Sequence, residues 1–205
     1  MKEICIEKSF VWKPSKENRS DSPRLEYVDS LFRRRLSQLS KMTVESVRNV
    51  LLKEDGTIQT DVPLIFASMR GEVSRQLKIN RSLVEENDVS PAQFSLSVFN
   101  APPAVTTIAL GINAPYVAIY PVRFSDALQA VRARLCSGIE KVVFAFADEK
   151  IPEEYEKIAQ DDECEVLSFA ALFSKNSFGI LLPESDFESP KSFVHFLEKQ
   201  RENQN

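Results

Sequence analysis

SPAQFSLSVFNAPPAVTTIALGINAPYVAIYPVRFSDALQAVRARLCSGIEKVVFAF, residues 90–146, decides the fold. A polar turn leads into a helix of small residues, with Ser95, Ser97, Ala101, Ala104, Thr106, Thr107, Ala109 and Gly111 letting other backbone come close. Gly-Ile-Asn-Ala-Pro at 111–115 breaks that helix and starts a short apolar strand, Tyr116, Val117, Ala118, Ile119 and Tyr120. Residues 123–136 are amphipathic and end at Ser137-Gly138, a helix stop. VVFAF at 142–146 reads as a strand buried on both faces.

Working outward, Ile4, Ile6, Phe10 and Trp12 fall on even positions, a period of two that predicts a strand over 3–12. Residues 13–23 are polar and read as a loop. Apolar residues at three- and four-residue spacings predict one helix over 26–53, with Arg33, Arg34 and Arg35 on a solvated face. EDGTIQT at 54–60 is a turn, and VPLIFAS at 62–68 a strand. Met69-Arg70-Gly71-Glu72 follows as a structural turn, then a helix to about residue 86. Residues 148–160 read as acidic loop or short helix. Strands are expected at 164–173 and 177–182, joined as a hairpin by Ser174-Lys175-Asn176. A final helix covers 189–205, its tail 200–205 polar and frayed. Strands alternating with helices predict a three-layer α/β/α sandwich with a mixed sheet.

The chain has 205 residues, enough for one domain, 1–205, with a real core. It carries a net charge of −4, which argues against nucleic acid as a partner. No apolar run reaches the roughly 18 residues of a membrane span. The first residues, MKEICIEKSF, lack the apolar stretch of a signal peptide, so the cytoplasm is the expected compartment. Cys5, Cys136 and Cys164 have no metal or redox spacing and read as small buried apolar groups. His195 is the one histidine, which narrows the available chemistry further.

The order Ser-Pro-Ala-Gln-Phe-Ser-Leu-Ser-Val-Phe-Asn-Ala at 90–101, an Ala/Thr-rich helix, then Gly-Ile-Asn-Ala-Pro resembles the N-terminal half of the β-ketoacyl synthases. It is most similar to the half-length β-ketoacyl-synthase-like proteins of aryl-polyene and related lipid pathways. Their matching stretch usually reads Ser-Val-His-Asn-Ala; Phe99 stands where that histidine would. The resemblance runs from Ile4 to about Leu182. It implies a thiolase-like half-domain with a five-stranded mixed sheet. It also marks Phe94, Ser97, Phe99 and Asn100 as motif residues, and the segment 94–109 as packing.

In that family a cysteine at a helix N-terminus takes the acyl chain, because the helix end lowers its pKa. Two histidines, or His and Asn, then assist decarboxylation and stabilise the enolate. The resemblance puts the nucleophile near Pro121, with Tyr120 and Ser125 beside it, yet nothing between Tyr116 and Gln129 is cysteine. Proline suits the first turn of a helix. Ser125 reads as a helix cap and Tyr120 as a strand-end residue with a polar tip. Cys136 lies at the wrong end of its helix to be acidified. His195 reads as an ordinary helical histidine. Glu153-Glu154 and Asp161-Asp162-Glu163 read as solvated loop acids. No catalytic residue, metal or cofactor is assigned.

The expected function is that of a non-catalytic subunit pairing with a ketosynthase in fatty-acid, polyketide or aryl-polyene assembly. Acyl carrier protein is a further expected partner. The alternatives are a condensing or acyl-transfer enzyme with another nucleophile, and a stand-alone binder of acyl chains or acyl carrier protein. In the thiolase-like fold, the strand before the nucleophile helix pairs with its twin across a two-fold axis. The resemblance therefore makes Tyr116–Tyr120 the expected dimer edge, with itself or with the ketosynthase.

Overall fold

The computed structural model describes residues 4–15, 17–156, 165–175, 179–183 and 187–202. In chain order the elements are β1 (Cys5–Trp12), α1 (Ser30–Arg34), α2 (Gln38–Leu51), β2 (Leu64–Ala67), α3 (Val73–Glu86), α4 (Pro91–Ser95) and α5 (Ala101–Leu110). Then follow β3 (Tyr116–Ile119), α6 (Phe124–Cys136), β4 (Lys141–Asp148), α7 (Glu153–Glu156), β5 (Leu167–Ser174), β6 (Ile180–Leu181) and α8 (Pro190–Glu202). The strands form one mixed sheet in the order β3-β2-β4-β5-β1-β6. β3, β2 and β4 are parallel, with Ile65 beside both Val117 and Phe144. β5 runs antiparallel to β4, and β1 antiparallel to β5.

β4 and β5 are apolar on both faces because both faces are covered. On one side α2 packs with α5 around Leu39, Met42, Val47, Phe66 and Val105. On the other, α6 and α8 pack around Phe124, Leu128, Phe144, Phe169 and Phe193. This is the expected α/β/α sandwich, with six strands in place of five.

The expected hairpin between the last two strands is not the pairing found. β6 lies against Cys5 and Ile6 of β1, because β1 occupies the free edge of β5 along almost its whole length. Gly179 permits the approach: a Cβ there would run into the Ile6 carbonyl oxygen. Asn176 of the expected turn, Ser177 of the expected strand, and Asp161, Asp162, Glu163 and Cys164 lie outside the described residues.

The single helix expected over 26–53 is two helices. The Asp29 carboxylate accepts from the N–H of Leu31 and Phe32 and starts α1; Ser37 Oγ accepts from the N–H of Ser40 at 3.0 Å and starts α2. Two competent caps outweigh a continuous apolar period. Of the three arginines, Arg34 and Arg35 are exposed, whereas Arg33 donates to the Leu25 carbonyl at 3.0 Å. At the C-terminus, residues 200–202 belong to α8, not to a frayed tail. Among the described residues no helix is long and apolar enough to cross a membrane.

Candidate functional site

The carboxyl ends of β3, β2 and β4 point to one rim of the sheet, where open α/β sheets hold ligands. Three connections meet there: the turn after β2, the link from β3 to α6, and the segment after β4. Together with residues before β5 and at the start of α8 they enclose a cavity of about 720 Å³. Met69, Arg70, Tyr120, Val122, Phe124, Asp148, Leu167 and Lys191 are among the residues that line it.

α6 is held at this rim by Phe124, 2% exposed, which meets the rings of Phe144, Phe146, Phe169 and Phe193 at centroid distances of 5.8–6.2 Å. The start of the helix is closed by its own chain. The Asp126 carboxylate accepts from the Arg123 N–H at 3.0 Å and from its guanidinium at 3.2 Å. So the positive end of α6 already faces a negative charge. Ser125 is the second helical residue and does not cap; Asp126 does, because a longer side chain at the third position reaches back to the cap N–H. Pro121 is buried in the link, three residues ahead of the helix, and so is not in its first turn.

Asp148 ends β4 and organises the turn after β2. Its Oδ1 accepts from Ser68 Oγ at 2.6 Å, from the Met69 N–H at 3.0 Å and from the Arg70 N–H at 3.2 Å. The Arg70 guanidinium lies 3.8 Å from Oδ2 and donates to the carbonyls of Glu149 and Glu165. Burial pushes the Asp148 carboxyl up, against the pull of Arg70 and the other donors. Gly71, at φ +62°, lies against the Phe99 ring.

Phe99 and Tyr120 stack edge to face at 5.8 Å, and Phe99 also meets Phe66 at 6.1 Å. Ser97 is buried and donates to the Phe94 carbonyl at 2.8 Å. Phe94, expected to pack, is 57% exposed, because α4 stands off the sheet as a separate short helix. Asn100 occupies the cap position of α5 without a side-chain bond there. Tyr116, Val117, Ala118 and Ile119 form β3 at the sheet edge, bonded among the described residues to β2 alone. Around that edge Val117 is 47%, Tyr120 66%, Ile108 68% and Val122 86% exposed.

His195 is exposed on α8, and Cys136, expected to be buried like Cys5, is exposed at the end of α6. Glu153 and Glu154 lie on α7, and Glu154 pairs with Arg81. No group of three His, Cys, Asp or Glu among the described residues could hold a metal ion.

A second cleft, of about 710 Å³, opens between α1, α3 and α7. Arg34, Arg35, Arg75, Lys78, Arg81 and Lys150 line it, with Glu149, Glu153 and Glu154. The sequence reading missed the buried acids Glu72, Asp148 and Glu149. The available signal was position: Asp148-Glu149 directly follows a strand without one polar residue after Lys141.

The family described as β-ketoacyl synthase, N-terminal domain, matches residues 10–200. Among solved structures, a ketosynthase (ApeO) in complex with its chain length factor (ApeC) from Xenorhabdus doucetiae superposes with a TM-score of 0.71 at 19% identity. That match covers 85% of this chain and 79% of the other. The ishigamide ketosynthase/chain length factor matches with a TM-score of 0.59 at 17% identity, over 78% of this chain and 48% of that one. The chain therefore spans about half of the latter's length. Comparison with curated proteins finds no match.

Proposed function

Because the chain belongs to the β-ketoacyl synthase N-terminal domain family, we propose that it is a non-catalytic subunit, one domain over residues 1–205, that pairs with a ketosynthase in fatty-acid, polyketide or aryl-polyene biosynthesis in the cytoplasm. One observation carries this reading. α6 begins at the cavity rim, where the resemblance puts the nucleophile, with Arg123, Phe124 and Ser125 and no cysteine. Asp126 occupies the helix end that would otherwise acidify a thiol or hold an oxyanion. Tyr120, Pro121 and Ser125 are then the remnant of a reacting site.

The free edge of β3 supports a partner. Its outer N–H and C=O groups, which no strand among the described residues pairs, and the exposed Val117 and Tyr120 invite a further strand, from the ketosynthase or from a second copy. Acyl carrier protein, an anionic partner in this reading, suits the cationic cleft of Arg34, Arg35, Arg75 and Lys78.

The test is co-expression with a ketosynthase of the same pathway. Co-purification and condensation by the pair, with none by this chain alone, is the expected result. An acyl adduct on this chain after incubation with acylated carrier protein would make it an enzyme instead. The cavity favours one second reading, a stand-alone binder of acyl chains; tight acyl binding without any ketosynthase partner would establish that.

A further inference from the structure

Two buried carboxylates meet at the first turn of α2, away from the cavity at the start of α6. Glu72 is fully buried and accepts from Ser37 Oγ at 2.6 Å and Ser40 Oγ at 2.9 Å; Arg75 Nε stands 3.3 Å away. Glu149 is 3% exposed and accepts from the backbone N–H of Ser74 at 3.1 Å and, more weakly, of Leu39 at 3.4 Å. One carboxyl group thus joins the N-terminal turns of α2 and α3 to the end of β4.

The two acids differ in their counter-ions. Glu72 has Arg75. Among the described residues no cation pairs with Glu149, although several face it. Arg70, from the turn before α3, is committed to Asp148 and to two carbonyls. Arg75, on α3, is committed to Glu72 and the Arg35 carbonyl. Lys150 reaches Glu156. From α2 and its cap come Ser37 and Ser40, which donate to Glu72, and the Gln38 amide, which accepts from the Lys150 N–H at 2.9 Å. Arg34, Arg35, Lys78, Arg81, Glu153 and Glu154 lie along the cleft whose lining Glu149 shares.

Two carboxylates in one dry place cannot both ionise freely, and the one without a counter-ion holds the proton. We propose that Glu149 is a proton-operated latch: protonated, it closes the joint between α2, α3 and the end of β4, and loss of that proton loosens the joint and opens the cleft to water. Ionisation strengthens the pull on the two helix ends, but it also sets Glu149 against Glu72 without solvent to screen them. Burial first, and Glu72 second, push the Glu149 carboxyl up to about 7, so the latch works near neutral pH. This holds whether or not the cleft receives a carrier protein.

The test is nuclear magnetic resonance on the full chain, labelled with carbon-13 and nitrogen-15. The Glu149 carboxyl carbon is followed from about pH 5.5 to 8.5, together with hydrogen exchange at the Leu39 and Ser74 amides corrected for intrinsic rate. The expected result is a midpoint near 7. Over the same range protection of those two amides should fall about tenfold, while β4 stays protected. In Glu149→Gln the fall disappears. Should that variant not fold, Glu72→Gln moves the Glu149 midpoint down toward the ordinary carboxylate range. A wild-type midpoint below the range scanned, or protection that does not change with pH, overturns the proposal. An equal fall in Glu149→Gln does so too.

Discussion

Ser68 and Asp148, at the ends of neighbouring parallel strands, are joined by a hydrogen bond of 2.6 Å from hydroxyl to carboxylate. That bond fixes the turn that carries Arg70, Gly71 and Glu72, and so sets the floor of the cavity and the start of α3. Asp148→Ala strands Ser68 Oγ, two backbone N–H groups and the Arg70 guanidinium in the interior. The expected loss is about 3–5 kcal/mol, read from urea unfolding, since removing one partner of a buried pair leaves the other charge uncompensated. Asp148→Asn keeps an acceptor and should lose less.

Stability should fall as pH rises from the ordinary carboxylate range to about 7. The Glu149 carboxyl titrates at about 7 in the fold, against its ordinary 4.5. Between those two values the folded chain binds more protons than the unfolded chain, so each step up in pH favours unfolding. The contribution is absent below the lower value and complete above the upper one, where it costs about 3 kcal/mol. Urea midpoints from mildly acidic to mildly alkaline pH measure this. Glu149→Gln should flatten the profile and be the more stable chain on the alkaline side.

Gly71→Ala should destabilise by about 1–3 kcal/mol, because the position is left-handed and the new methyl meets Phe99. The ring alone does not account for the whole effect. In a Phe99→Ala background the steric part vanishes and the backbone part stays, so a double-mutant cycle separates them. Phe99→Ala by itself removes a half-buried ring and should fall short of the roughly 3–5 kcal/mol of a fully buried one.

Val117→Lys places a charge in the middle of the exposed edge of β3. The fold should keep its stability to within about 0.5 kcal/mol, as surface changes do. Sedimentation should show association lost, with the ketosynthase or between copies. Ala118→Pro should act in the same sense by straining the strand. Association that survives both substitutions in a folded protein puts the interface elsewhere.

The layers of the sandwich were legible because their signals are local. VVFAF, VPLIFAS and the even-numbered apolar residues of β1 each declare a strand without reference to the rest. The partner of β6 was not legible, since it depends on β1 reaching an edge 156 to 169 residues along the chain. The break before α2 was hidden because the apolar period of 26–53 runs through it, while Asp29 and Ser37 act by caps that the period does not register. At the site, the missing cysteine was plain in the sequence. The buried acids were not: in an acidic chain Asp148 and Glu149 look solvated until the fold brings Ser68 and Ser74 to them.

The carboxylate of Asp126 also decides what a thiol placed at the start of α6 could do. A cysteine set at Ser125 would meet a helix end whose field is already cancelled, and its thiol would keep its proton. A thiol nucleophile at this helix end therefore takes at least two changes, a cysteine and the removal of the Asp126 carboxylate.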